Sequence, residues 1–162
     1  MPKILAAGDI HGDISLARKL ADQAELENVD LVVLCGDLTL SEKSTDNLIG
    51  PFVKKNKKVL LIHGNHESNA TIDFLAELYG ATNLHGYSYK LGEIGLFGCS
   101  GVNIGLHQIP EEEIFDLLKK AYSKIKDKKT KIIITHVHPD GIKIGKFTPY
   151  FSGSKGVKKA LD

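Results

Sequence analysis

Four short segments of this 162-residue chain gather carboxylate, imidazole and carboxamide groups: Gly8-Asp9-Ile10-His11-Gly12-Asp13, Gly36-Asp37, His63-Gly64-Asn65-His66-Glu67 and His136-Val137-His138-Pro139. Oxygen and nitrogen donors without thiolate suit a borderline first-row divalent ion, Mn, Fe, Co, Ni or Zn, and the residue types do not choose among them. Taken singly, each fragment is weak. A Gly-Asp pair is usually a turn, Asn65 beside Gly64 reads as a left-handed turn residue, and a lone His136 reads as a satisfied core histidine. Their joint occurrence, in order and each at the end of a short apolar run, points to a metal site. A carboxylate can bridge, so Asp37 can hold two ions about 3.5 to 4 Å apart, the spacing of two-metal hydrolysis. Two divalent ions bring more positive charge than Asp9, Asp37 and one hydroxide cancel, and the surplus favours a phosphate ester.

The elements that must position these groups are legible as well. Residues 4–7, 31–35, 59–62 and 132–135 are short, apolar and mostly rich in branched side chains, which predicts buried strands. Between them, Leu16, Leu20 and Ala24 recur at helical spacing behind Ser15, a possible cap. Ile72, Leu75 and Leu78 make a second apolar stripe. A third, Ile114, Leu117, Leu118, Ala121, Tyr122 and Ile125, is opened by Pro110 and three glutamates whose charge suits a helix amino terminus. Strand and helix in alternation predict an α/β fold with a largely parallel core. Residues 87–91 and 94–97, around Gly92-Glu93, predict an antiparallel hairpin, so the sheet is mixed. In open α/β sheets ligands bind beyond the carboxyl ends of the strands, where all four segments fall.

Length and 42% hydrophobic residues predict one domain over residues 1–162 with a sizeable core. Lysine and arginine total 21 against 20 acidic residues, a net charge of +1 that by itself recruits neither nucleic acid nor membrane. The lysine groups at 54–58 and 124–131 read as solvated connectors, because no aromatic residues are interleaved to stack on bases. Cys35 and Cys99 lack CxxC spacing and read as buried thiols of a reducing cytosol. No apolar run approaches the ~20 residues that span a bilayer, and only four apolar residues follow Pro2-Lys3, so the expectation is a cytoplasmic protein.

With Gly8-Asp9-Ile10-His11, Gly36-Asp37, Gly64-Asn65-His66-Glu67 and His136, the chain resembles the calcineurin-like metallophosphoesterases over nearly its whole length. Gly98-Cys99-Ser100-Gly101-Val102-Asn103 and Thr135-His136-Val137-His138-Pro139 make it most similar to the small Icc-related phosphoesterases. The resemblance implies a sandwich of two mixed β-sheets flanked by helices. It implies that Asp9 and His11 bind one divalent ion, that Asp37 bridges, and that Asn65 and His136 bind the second. His66 would face the phosphate and protonate the leaving oxygen, and the nucleophile would be a hydroxide bridging the metals. A small phosphomonoester or phosphodiester, a nucleotide among them, is the implied substrate. The contrasting reading is a non-catalytic scaffold on the same fold, against which stand the retained His66, Asp9 and Asp37.

Two departures matter. The family closes its site with a Gly-His-x-His segment that has no counterpart here, so the chain is expected to be truncated at its carboxyl end by roughly forty or more residues. His138 then reads as a pocket-wall, second-sphere or solvated residue, with an alternative ligand set that includes it left open. Protein phosphatases of the family also lean the counterpart of His66 on an aspartate three residues after the bridging one; here that position is Leu40, which makes protein phosphatase activity unexpected. His63, His85 and His107 match no ligand position, and the loop 140–151 is the candidate for substrate contact. P-loop, dinucleotide, serine-elbow and His-Glu-x-x-His motifs are absent from the sequence.

Overall fold

The computed structural model describes residues 2–142 and 152–162. Two sheets form, and both are flanked by helices. Strands β1 (Ile4–Ala7), β2 (Leu31–Cys35), β3 (Lys58–Ile62) and β4 (Thr82–Asn83) build a four-stranded sheet in the order β1-β2-β3-β4. All three of its pairings are parallel, in registers such as Leu5↔Val32 and Val33↔Leu60. Strands β5 (Ser88–Leu91), β6 (Ile94–Gly98) and β7 (Thr130–Ile134) build the second sheet. Here β5 and β6 form the expected antiparallel hairpin, and β6 pairs with β7 in parallel.

Period-two side-chain alternation explains the layering. Leu31, Val33, Leu60 and Ile62 point from the first sheet toward Leu84, Leu96 and Ile134, filling the space between the sheets. Their neighbours Val32, Leu34, Val59 and Leu61 point the other way, onto helices α1 (Ile14–Leu26), α2 (Gly50–Lys54) and α3 (Asn69–Tyr79). Because β2 and β3 are covered on both faces, they read as nearly unbroken apolar runs. The outer face of the second sheet, through Phe97 and Ile133, packs on α4 (Glu111–Ser123) and α5 (Lys155–Leu161) by way of Ile114, Leu118, Ala121 and Val157.

Helix boundaries correct some details. Asp13, not Ser15, caps α1, its carboxylate accepting from Leu16 N at 2.9 Å. The buried face of that helix is Ala17, Ala21 and Ala24, small residues that let it lie close on the sheet, whereas Leu16 is exposed. On α3, Ile72 and Leu75 are buried as expected, but Leu78 is 58% exposed and Ala76 takes the third inward position. Lys54 belongs to α2, a one-turn helix entered through Pro51. Helix α4 carries Glu111, Glu112 and Glu113 in its first turn. Glu111 also accepts from Ser154 Oγ at 2.6 Å and Gly156 N at 2.7 Å, tying the start of α5 to the start of α4. No helix among the described residues is long and apolar enough to cross a membrane.

Candidate metal centre

The strand-end loops are joined edge to edge. Asp9 N donates to Gly36 O at 3.1 Å, His11 N to Asp37 O at 2.9 Å and Gly12 N to Leu38 O at 2.8 Å, continuing the β1–β2 ladder past the strands. Asp9, His11 and Asp37 all adopt left-handed backbone, with φ of 56°, 49° and 50°. Non-glycine residues seldom hold that region, and three together on one rim mark a locally over-determined site. Gly36 has φ +91°, and a Cβ there would lie 2.8 Å from His136 Nδ1. A Cβ at Gly64 would collide with the amide and carboxylate of Asp37.

Glu67 locks the β2 and β3 loops together. Fully buried, it accepts from Gly64 N at 2.8 Å, Leu38 N at 3.3 Å, Thr39 N at 3.1 Å and Thr39 Oγ1 at 3.2 Å. A buried carboxylate is tolerated when its lone pairs are met in this way. Sequence reasoning reads Glu67 only as part of a motif, because its partners beyond Gly64 lie 28 and 29 residues away.

Asp37 is the centre of the cluster and only 3% exposed. Its Oδ1 accepts from His66 N at 3.0 Å and stands 3.6 Å from His136 Nε2. Its Oδ2 stands 3.9 Å from His11 Nε2 and 3.8 Å from His66 Nε2. Asp9 Oδ1 is 3.7 Å from His11 Nε2. Two groups result, His11-Asp37-His66 and Asp9-Asp37-His136, each with its donor atoms within 4.8 Å of one another. Asp37 is common to both.

The orientation of His136 is set from outside the cluster. Its Nδ1 lies 3.0 Å from Cys35 O, an acceptor only, so that nitrogen carries the proton. In the neutral ring Nε2 then directs a lone pair at Asn65 Oδ1, 3.2 Å away, and at Asp37 Oδ1. Lone pairs that converge without a proton between them are what a cation reconciles, so the donor set fits a divalent ion. The backbone of this segment is fixed by the Gly98–Asn103 turn, with His136 N and Val137 N both donating to Ser100 O.

His66 presents Nε2 to Asp37, while Ser41 Oγ stands 3.5 Å from its Nδ1. Its ring meets that of His11 edge-on at 4.9 Å. Leu40, at the position of the expected carboxylate, is an exposed side chain, and the group beside the imidazole is the hydroxyl one residue later. Sequence reasoning did not reach Ser41.

The remaining histidines separate by burial. His63 donates Nδ1–H to Gly64 O at 3.0 Å, and its ring lies tilted against that of His85 with centroids 4.6 Å apart. Burial holds the His63 imidazole below its ordinary range and pushes His85 down to about 4. His107 is in neither metal group. Neither is His138, whose Nε2 is buried without a partner among the described residues. Burial raises both thiols to about 11, for Cys35 with the help of the Asp9 charge, which keeps them protonated and unsuited to metal. Of the loop 140–151, residues 143–151 lie outside the described residues.

A family model described as calcineurin-like phosphoesterase matches residues 2–161. The chain belongs to the calcineurin-like phosphoesterases. Among solved structures, it is similar to TT1561 of Thermus thermophilus, with a TM-score of 0.71 and 18% identity over 95% of this chain and 73% of that one. A second solved structure matches with a TM-score of 0.78 and 16% identity, covering 99% of this chain and 80% of that one. At such identities the likeness shows the fold. No curated protein matches. For a calcineurin-like phosphoesterase, hydrolysis of phosphate esters with divalent metals is the family chemistry, and the two His/Asp groups are candidates to hold them.

Proposed function

We propose that this calcineurin-like phosphoesterase is a dinuclear hydrolase of small phosphomonoesters or phosphodiesters, with Asp9, His11, Asp37, Asn65 and His136 as metal ligands and His66 as the catalytic residue. One observation carries the reading: the two oxygens of buried Asp37 face different imidazoles, Oδ1 toward His136 and Oδ2 toward His11 and His66. That division suits a bridging carboxylate. The approaches of Asp9 to His11 at 3.7 Å and of Asn65 to His136 at 3.2 Å support the ligand partition expected from the resemblance, while Asp9 also falls in a group with Asp37 and His136. When bound, two divalent ions supply acidified water and positive charge for the phosphoryl oxygens.

The chain's own residues then have distinct tasks. Asp37, held by the His66 amide, cannot swing away from the centre. Cys35 O keeps His136 in the tautomer that offers Nε2 outward. His66, with Nε2 on the same side as the ligands, is placed to donate a proton to the departing ester oxygen.

The test is elemental analysis and turnover of aryl phosphates, on the full protein and its Asp37→Ala variant. Two divalent ions and turnover that both disappear in the variant are expected. Unchanged metal content and rate in Asp37→Ala would remove the reading. Absence of metal from the purified protein would favour the scaffold.

A further inference from the structure

We propose that Ser41 is a positioning residue for His66, its hydroxyl holding Nδ1 so that Nε2 faces the scissile ester; this rests on the function proposed above. The imidazole spans two groups. Nε2 is 3.8 Å from Asp37 Oδ2, and on the opposite side Nδ1 is 3.5 Å from Ser41 Oγ. Among the described residues, Ser41 supplies the side chain within reach of that nitrogen.

The turn that carries Ser41 is held through its neighbour Glu42. Ser41 and Glu42 both have left-handed backbone, with φ of 54° and 57°. The Glu42 carboxylate accepts from Ser68 N at 2.8 Å and Thr71 Oγ1 at 2.6 Å, fastening the segment to the first turn of α3. Those bonds, Thr71's first and Ser68's next, lower the Glu42 carboxyl to about 2, so the fastening persists across the neutral range. Glu42 N donates to Thr39 Oγ1 at 3.2 Å, and that hydroxyl donates to Glu67 Oε2 at 3.2 Å. A chain of bonds thus runs from the buried lock at Glu67 to the turn that carries Ser41.

A hydroxyl suits the task because it both donates and accepts. While His66 is protonated, Ser41 Oγ accepts from Nδ1–H. As the P–O bond breaks, its electron pair leaves on the ester oxygen, which takes the Nε2 proton. The neutral ring retains Nδ1–H, and its bond to Ser41 survives the transfer. Reprotonation of Nε2 from water restores the starting state.

The test uses the full, metal-loaded protein and two aryl phosphates, a 4-nitrophenyl ester with a good leaving group and a phenyl ester with a poor one. For Ser41→Ala, kcat on the phenyl ester is expected to fall about three- to tenfold, the loss of one modest hydrogen bond. KM stays within about twofold and the nitrophenyl ester loses less, since it depends less on proton donation. Ser41→Asn, whose side chain keeps a hydrogen-bond acceptor and suits the left-handed backbone, restores the rate, and Ser41→Ala adds nothing in a His66→Ala background. Metal content and melting temperature, measured on each variant, separate a folding defect from a kinetic one. Equal losses on both esters, or an undiminished loss in the His66→Ala background, would overturn the proposal. A rate lowered by His66→Ala but untouched by Ser41→Ala overturns it alone, whereas a metal-loaded wild type inactive on mono- and diesters overturns the proposed function as well.

Discussion

Asp37 has almost no freedom, since its backbone is left-handed, its side chain is buried and one oxygen accepts the His66 amide. Gly64 is the counterpart of that rigidity. The chain passes so close to Asp37 that only a residue without Cβ fits, and the obstructing atoms include backbone that cannot rotate away. Gly64→Ala is therefore expected to destabilise the fold by about 1–3 kcal/mol, the range for overpacking. The displaced carboxylate should also weaken metal binding, so calorimetry should show less stabilisation by added Mn²⁺ than in the wild type. A variant with wild-type melting and an undiminished metal response would contradict the close approach. Glu67 shows the same economy one shell out, a carboxylate spent on fixing backbone amides rather than on chemistry.

At the scale of elements, the site depends on strands that stop abruptly and helices that start where the loops leave them. Asp13 lies in the first of the four strand-end segments, yet its carboxylate caps α1 and does not join either candidate metal group. Asp13→Ala should cost about 1 kcal/mol of stability, the usual value of an N-cap, while Ser15→Ala should cost almost nothing. Chemical denaturation of the two variants checks this directly, and the opposite order would restore Ser15 as the cap. Helix α3 shows why apolar spacing misled at one position. Ile72, Leu75 and Leu78 fit an i, i+3 ladder, but 3.6 residues per turn rotate the third member off the sheet, and Ala76 meets the core instead. Phe74 shares that outward side, 57% exposed.

For the molecule as a whole, two imidazoles lie side by side behind the strand-end loops, His63 buried and His85 half-buried. Burial chiefly holds the His85 pKa at about 4, with the neighbouring His63 adding to the effect, whereas an unfolded histidine titrates near 6.5. Between those values the unfolded chain binds more protons than the native one, so stability is present above about 6.5 and is lost as pH falls toward 4. Melting temperature should drop through that window. In His85→Gln, which retains an acceptor for Ser100 N, the drop should be shallower. A flat profile from pH 7 to 4.5 in the wild type would refute the assignment of the His85 ring as desolvated and neutral.

The sequence by itself determined which residue types end the strands and in what order, because a strand and its terminating turn are local in sequence. The apolar runs at 31–35 and 59–62, the Gly92-Glu93 hairpin and the likeness to the family whose model matches residues 2–161 were all legible there. The tertiary structure alone decided where each donor atom points. His136 takes its tautomer from a carbonyl 101 residues away, His66 meets a hydroxyl 25 residues away, and Glu67 finds its partners on the neighbouring loop. No spacing rule encodes such bonds, since they form only once parallel strands bring distant loops onto one rim, and there directional hydrogen bonding selects the atom that faces the centre.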